Sequence, residues 1–341
     1  MLRAALAATC LGAAGTAIAQ EVQLRGLLDV SAGRFENSGA PAEWRVDSGS
    51  MSTSFIGVRG SDDLGGGLKA RFAFEHYLRL DSGRAGRFDG EAFWARDAYI
   101  GLSGAFGTTV LGRNTTPLFM STLRFNAFGD SYAFSPSVRQ VFTPALLPFF
   151  GADAWNNSIA YASGDEDGNG FSQHVIGALD EGASGSRGTN VGASFVYEKG
   201  PLEAALTLQR VRHGEGITPA SAALPAGFAR QDTWQLGWAY DLALVKLYAQ
   251  YTRVRTRDLA GSRTEIAGVG ASLPLGEGRV LAQYGRARAR TGGTDPSQVT
   301  VSLGYDHALS KHTDAYAVYM NDHVSGQDRG HSVATGMRLR F

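Results

Sequence analysis

The feature that most constrains this chain is the regular alternation of apolar and polar side chains with a period of two. From Leu68 onward one set is Leu68, Ala70, Phe72, Phe74, His76, Leu78 and Leu80, and the interleaved set is Lys69, Arg71, Ala73, Glu75, Tyr77, Arg79 and Asp81. A helix would spread both sets around its circumference, whereas a strand sends them to opposite faces. The same separation sets Val22, Leu24, Gly26, Leu28 and Val30 against Gln23, Arg25, Leu27, Asp29 and Ser31. It sets Trp234, Leu236, Trp238 and Tyr240 against Gln235, Gly237, Ala239 and Asp241, and Val333, Thr335, Met337, Leu339 and Phe341 against Ala334, Gly336, Arg338 and Arg340. Around residue 317 alternation gives no decision, because Tyr316 and Val318 compete with Ala317 and Tyr319 for the apolar face.

The connections between such runs alternate in length. Short ones fall at 63–67, 104–107, 165–170, 199–201, 241–243, 275–278 and 309–311, and long ones near 34–46, 80–91, 114–154, 180–189, 213–230, 255–263, 290–297 and 323–330. Seven short turns and eight long loops join sixteen strands, each of about ten residues, enough to cross hydrocarbon at a tilt. The expected fold class is all-β: a 16-stranded antiparallel transmembrane β-barrel. Closure has a physical reason, since a backbone N–H or C=O at an open sheet edge has no partner in hydrocarbon. The polar rows then line an interior too wide for side chains to fill, which holds water. Tyr161, Tyr197, Tyr240, Tyr305 and Phe341 fall beside short turns, as an interfacial aromatic girdle requires. A soluble sandwich gives these rings no such reason, and a propeller calls for a repeat of about forty residues that is not visible.

The first residues read as a different kind of segment. Arg3 precedes an Ala/Leu-rich run at 4–17, followed by Ala17, Ile18, Ala19 and Gln20. That is the three-part pattern of a secretory signal cut after Ala19, leaving 20–341 as the barrel. The single cysteine, Cys10, lies inside the signal, so neither disulfides nor thiolate chemistry is expected of the exported chain. With 32 basic and 32 acidic residues the chain lacks the basic excess of a nucleic-acid binder. No stretch reaches the roughly eighteen apolar residues of a transmembrane helix.

The segment 114–154 is far longer than an ordinary connection, and such loops are usually functional. It carries Phe119, Phe125, Phe128, Tyr132, Phe134, Phe142, Phe149 and Phe150. A loop so aromatic needs a surface, and the inside of the barrel wall offers one. A surface flap or a subunit contact is the alternative.

Three stretches then carry a resemblance: Ser54-Phe55-Ile56-Gly57-Val58-Arg59-Gly60-Ser61-Asp62-Asp63-Leu64-Gly65-Gly66-Gly67-Leu68-Lys69-Ala70, Arg96-Asp97-Ala98-Tyr99-Ile100-Gly101-Leu102, and Phe106-Gly107-Thr108-Thr109-Val110-Leu111-Gly112-Arg113. With Asn156-Asn157-Ser158-Ile159-Ala160-Tyr161 and the terminal Arg340-Phe341, the chain resembles the general-diffusion porins of Gram-negative outer membranes, of the type common in β-proteobacteria. The resemblance implies a homotrimer in membrane lipid, a third long loop folded inward as a constriction, and passive passage of ions and small hydrophilic solutes. It also implies that Phe341 is read as an assembly signal by the outer-membrane insertion machinery.

Porin constrictions set loop carboxylates against wall arginines, and such charged rings govern ion selectivity. Here Asp130 and Asp153 are the loop carboxylates, with Arg124 and Arg139 on the same loop. Strand phase and motif place Arg59, Arg96 and Arg113 in the lumen. Phase alone adds Arg25, Arg71 and Arg79, with Glu75 beside them. The family carries arginines where this chain has Phe55 and Ala154, both inward by phase. Their loss should weaken the transverse field and the preference for anions. A substrate-selective pore for organic or aromatic anions, with Phe55 as an apolar patch, is the second reading. An adhesive barrel and a barrel enzyme are further alternatives. A lipase-like barrel needs a Ser/His pair on neighbouring strands at the lipid face, and none is visible. G-x-S-x-G, H-E-x-x-H and Walker patterns are absent, so no catalytic residue, metal or cofactor is expected. His307 and His312 flank a short turn without a carboxylate cluster, and Asp165, Glu166 and Asp167 read as a solvated turn.

Overall fold

The computed structural model of the chain describes residues 21–163, 170–180, 188–214, 217–218 and 223–341. The candidate signal at 1–19 and the acidic turn at Asp165, Glu166 and Asp167 lie outside the described residues. Strands run in chain order as β1 (Glu21–Phe35), β2 (Glu43–Ser48), β3 (Phe55–Gly65), β4 (Leu68–Arg79), β5 (Arg84–Ala85), β6 (Asp97–Gly104) and β7 (Gly107–Thr115). Two helices follow, α1 (Pro117–Arg124) and α2 (Pro136–Phe142), then β8 (Ala154–Ser163), β9 (Gly170–Ala178), β10 (Asn190–Lys199), β11 (Leu202–Val211) and β12 (Arg230–Asp241). The last are β13 (Lys246–Arg257), β14 (Ser262–Leu275), β15 (Gly278–Arg290), β16 (Ser297–Ala308), β17 (Thr313–Val324) and β18 (Gly330–Arg340).

Each strand pairs antiparallel with its neighbour in the sheet. β2 pairs with the loop-side part of β1 and β3 with its other part, so the two form one barrel strand interrupted at 49–54. β5 is a two-residue stub on β4. Counted in this way, sixteen barrel strands close into a cylinder when β1 meets β18, from Leu27↔Arg340 to Arg34↔Val333. Among the described residues, the short and long connections fall where the sequence places them. The interruption is an addition: β1 runs to Phe35 and the chain re-enters the sheet at Glu43, so the first long loop is partly strand.

The two faces separate by chemistry. Leu236 and Trp238 on β12 and Val333, Met337 and Leu339 on β18 are exposed on the outer face, while Gln231, Thr233 and Gln235 alternate with them and are buried. β17 is resolved: Tyr316, Val318 and Met320 point inward and are buried, and Tyr319 points out. His76 falls on the outward set, yet it is buried, because the ring of Phe93 stacks on it at 3.9 Å.

The 116–153 segment lies on the polar inner face. Thr116 caps α1 by accepting from the Phe119 N–H, Ser135 caps α2 by accepting from Val138, and a proline opens each helix. Seven of the eight loop aromatics are buried and Tyr132 is half-buried, each phenylalanine contributing about 1.5–3 kcal/mol by its removal from water. Wall glutamines satisfy the loop's polar atoms. Gln235 donates to Thr122 Oγ1 at 2.9 Å, Gln250 to the Thr122 carbonyl at 2.7 Å and Gln283 to Ser137 Oγ at 2.8 Å. At Gly237 a Cβ would sit 2.2 Å from the Phe125 ring, so a missing side chain is what lets the loop seat.

Candidate pore constriction

The wall opposite the loop's main contacts is built by β1, β3, β4 and β6. One register row there runs Arg25, Gly57, Glu75, Asp97. Arg25 and Glu75 sit two strands apart, about 10 Å, and meet only because Gly57 stands between them. A Cβ at Gly57 would lie 2.5 Å from Glu75 Cγ. The Glu75 side chain is fully buried and lies within 3.6 Å of Arg25 Nε and 2.5 Å of Arg59 Nε. Arg96 also pairs with it. Arg59 reaches Asp97 at 2.8 Å, and Asp97 accepts from the Thr115 hydroxyl at 3.1 Å. Three guanidiniums, each about one-third exposed, thus meet two carboxylates and leave one net positive charge on the wall.

Phe55 lies under this cluster. It is buried, with Arg96 4.0 Å and Arg25 5.5 Å from its ring centre, and it packs with Tyr77 and Ala95. It therefore supports two guanidiniums through their cation–π faces and presents no open apolar patch. Ala154 is likewise buried.

The remaining residues singled out by sequence take different places. Asp130, on the loop, accepts from Ser52 Oγ at 2.7 Å. Burial pushes its carboxyl up, while Ser52, Arg338 and Arg96 pull the other way. Asp153 is buried beneath Arg87, which reaches it at 2.5 Å and bonds Glu91 as well. Burial works to raise the Asp153 carboxyl, yet Arg87 and Arg113 hold it below the usual carboxylate range. Arg113 sits at the irregularity between Gly112 and Asn114 and donates to the Ala95 carbonyl and to Asn156. Arg71 bonds Ser103 at 2.7 Å, nearer the short turns. Arg79 pairs with Asp89 in the second long loop. Arg25, Arg59, Glu75, Arg96 and Phe55 come together; Arg71, Arg79, Arg113 and Asp153 stand outside that cluster.

Sequence reading did not single out several supporting groups. Asp97 completes the wall cluster, Gly57 makes room for it, and Arg87 ties the second long loop to the third. Asp29 accepts from the Met51 and Ser52 N–H groups at 3.0 and 2.8 Å and from the Tyr316 hydroxyl at 2.7 Å. It thereby satisfies backbone donors that the interrupted strand would otherwise orphan. Opposite, Arg338 is buried between Asp306 and Asp314, at 2.6 Å from each. Only alternation marked Asp29 and Arg338, as inward-facing.

Comparison with known proteins agrees with this architecture. A family model described as Gram-negative porin matches residues 4–327. Outer membrane porin protein 32 of Delftia acidovorans is 31% identical over 93% of this chain and 88% of the relative. An anion-selective porin from Comamonas acidovorans superposes with a TM-score of 0.77 at 26% identity, covering 95% of this chain and 100% of that one. OmpT of Vibrio cholerae, in its trimer form, shares the fold at a TM-score of 0.71 and 13% identity, over 95% and 100% of the two chains. A closed sixteen-strand cylinder with apolar outside and polar inside, matched along its length by these relatives, leaves one assignment: the chain belongs to the Gram-negative porin family, outer-membrane channels for passive diffusion of ions and small hydrophilic solutes.

Proposed function

We propose that the cluster around Glu75 is the constriction of this pore and gives it a mild preference for anions. The observation that carries the reading is the convergence of Arg25, Arg59 and Arg96 on two carboxylates, with Asp130 supplying the opposing charge from the loop. Anions entering this narrow section meet the exposed third of each guanidinium, while cations meet one loop carboxylate whose pKa burial raises. Arg71 extends the basic wall toward the short turns, and Arg79 and Arg113 flank it. The anion-selective relative supports the same sign. A pore specialised for aromatic anions has less support, since Phe55 and seven of the loop aromatics are covered.

Three copies are proposed to form the working unit, and residues 1–19 to act as a cleaved export signal. Phe341 is proposed as the assembly signal. It closes the seam by exchanging backbone hydrogen bonds with Gly26 at 2.8 and 3.1 Å, and the residue as a whole stays 45% exposed. The test is planar-bilayer conductance of the purified protein across a salt gradient. The reading expects steps in multiples of three and a reversal potential of anionic sign. A cationic sign overturns the constriction assignment, and saturable block by one aromatic acid favours the specialised pore.

A further inference from the structure

Between β2 and β3 the chain leaves the barrel wall and folds into the lumen as Gly49-Ser50-Met51-Ser52-Thr53-Ser54. Small and polar residues there surround one methionine. Gly49 makes the departure, with a φ of +75° in the left-handed region. Its N–H still reaches the Asp29 carbonyl at 2.9 Å. The Ser54 hydroxyl then accepts from the Asp29 N–H at 2.9 Å and donates to the Asp29 carbonyl at 3.0 Å, standing where a strand residue would pair. On the other flank Leu78 donates to the Ser54 carbonyl at 3.1 Å and Leu80 to the Ser48 hydroxyl at 2.9 Å. A β-bulge usually adds one residue to a ladder. Here a longer excursion has its displaced ladder partners replaced by side chains, which marks a built element.

The segment is a shelf for the third loop. Met51 is 2% exposed and packs in one cluster with Phe128 and Phe134 of the loop and Tyr316 and Val318 of β17. Ser50 is held to the wall by the Ser31 hydroxyl at 2.7 Å, and its carbonyl accepts from the Ser131 hydroxyl at 2.6 Å. Ser52 donates to Asp130 and accepts from Arg338 at 3.2 Å. The loop tip thus rests on the shelf, and the shelf rests on Asp29 and Ser31 of β1. On β16 the loop meets the wall directly, where Ser302 donates to the Phe134 carbonyl at 2.6 Å. At the level of Asp29, then, a layer of chain holds the tip off β1.

That layer bears on the pore, because the loop carboxylate is seated on it. Asp130 shares a small cavity with Arg124 of α1, Arg279 of β15, Asp306 of β16 and Arg338 of β18. It also interacts through space with Arg96 of the Glu75 cluster, and Asp29 lies behind it, bonded to the Ser52 N–H. Ser52 gives Asp130 a hydroxyl donor, and such a donor stabilises a carboxylate in its charged form.

We propose that segment 49–54 is a second lip of the constriction, in which Met51 sets how far the loop tip projects into the lumen and Ser52 is the positioning residue for Asp130. The proposal deepens the constriction reading and rests on it. The test is planar-bilayer recording of Met51→Ala, Met51→Val, Ser52→Ala and Ser52→Thr, each checked for folding by heat-modified gel mobility. Met51→Ala lets the tip settle toward β1. It is expected to raise single-channel conductance and to admit larger polyethylene glycols, with Met51→Val between it and wild type. Ser52→Ala is expected to move the low-pH rise in anion preference upward by about one pH unit, since the carboxylate loses a donor to its charged form. Ser52→Thr keeps a hydroxyl and is expected to restore the wild-type onset. Folded Met51 variants with wild-type conductance and wild-type glycol exclusion overturn the proposal and reduce the segment to a filler of the wall. An onset unmoved in Ser52→Ala, or moved equally in Ser52→Thr, overturns the role of the hydroxyl. A cationic reversal potential in wild type overturns the constriction reading instead, and the Met51 variants then still decide whether the segment sets the width of the lumen.

Discussion

Glu75 gains Arg25 as a third arginine because the residue beside it on the next strand is a glycine. Gly57→Ala would push a methyl group into the Glu75 side chain, 2.5 Å from its Cγ, and break the reach to Arg25. It is expected to destabilise the barrel by about 1–3 kcal/mol, as a charged hydrogen-bonding group loses its partner. A lowered temperature of heat-modified gel mobility would register this. Glu75→Gln keeps the shape and removes the negative charge. The expected outcome is a stronger anion preference in reversal-potential measurements, together with a less stable protein; an unchanged reversal potential would place the selectivity elsewhere. At this scale the sequence was informative about phase and silent about support. Arg25, Arg59 and Glu75 could be placed inward because alternation is strict on their strands, whereas Arg96 lies just ahead of β6 and rested on the motif as well. Gly57 could not be singled out, since its role depends on the side chain of a neighbouring strand. Arg87 lay in a loop with no periodicity to read.

The third long loop behaves as a packed element, with two capped helices and its phenylalanines set into the wall. Its far end is fixed by Arg87, whose side chain is 12% exposed and bridges Glu91 and Asp153. Arg87→Ala strands the buried Asp153 carboxylate without its main partner, at a cost of about 3–5 kcal/mol. Noisier single-channel traces and earlier thermal inactivation are expected; quiet, wild-type traces would show that the loop does not depend on this tie. The aromatic content of 114–154 was legible as a demand for a surface. The phase of β17 was not, because the loop changes what an inward position wants. Tyr316, Val318 and Met320 face in and cluster with Phe128 and Phe134, so an apolar row there reports a loop lying over it and not lipid. The same reasoning explains His76, an outward position covered by Phe93.

At the scale of the whole molecule, the proposed constriction sets a basic wall against the loop carboxylate Asp130. Burial raises the Asp130 carboxyl above its ordinary range. As pH falls through that raised value the group becomes neutral, while the wall arginines keep their charge. Lowering pH from about 7 to about 4 is therefore expected to increase anion preference, beginning at a higher pH than exposed carboxylates titrate. Asp130→Asn should remove that onset while leaving the channel open. The number of strands and the order of turns and loops were legible because each short turn flips the chain without disturbing the alternation. The interruption of the second strand was not, because its cause is the Asp29 carboxylate on another strand taking up the N–H groups of Met51 and Ser52.

The junction of β1 with β18, bolted by a bond between Tyr316 and Asp29 at a separation of 287 residues, also fixes a timetable. The opening strand spends the whole of translation and export without one of its two partners, so no earlier fragment can finish as a smaller sealed ring. Contacts this remote in sequence form late and slowly. A chain cut even one strand short is left with two raw edges, which find no backbone partners in hydrocarbon.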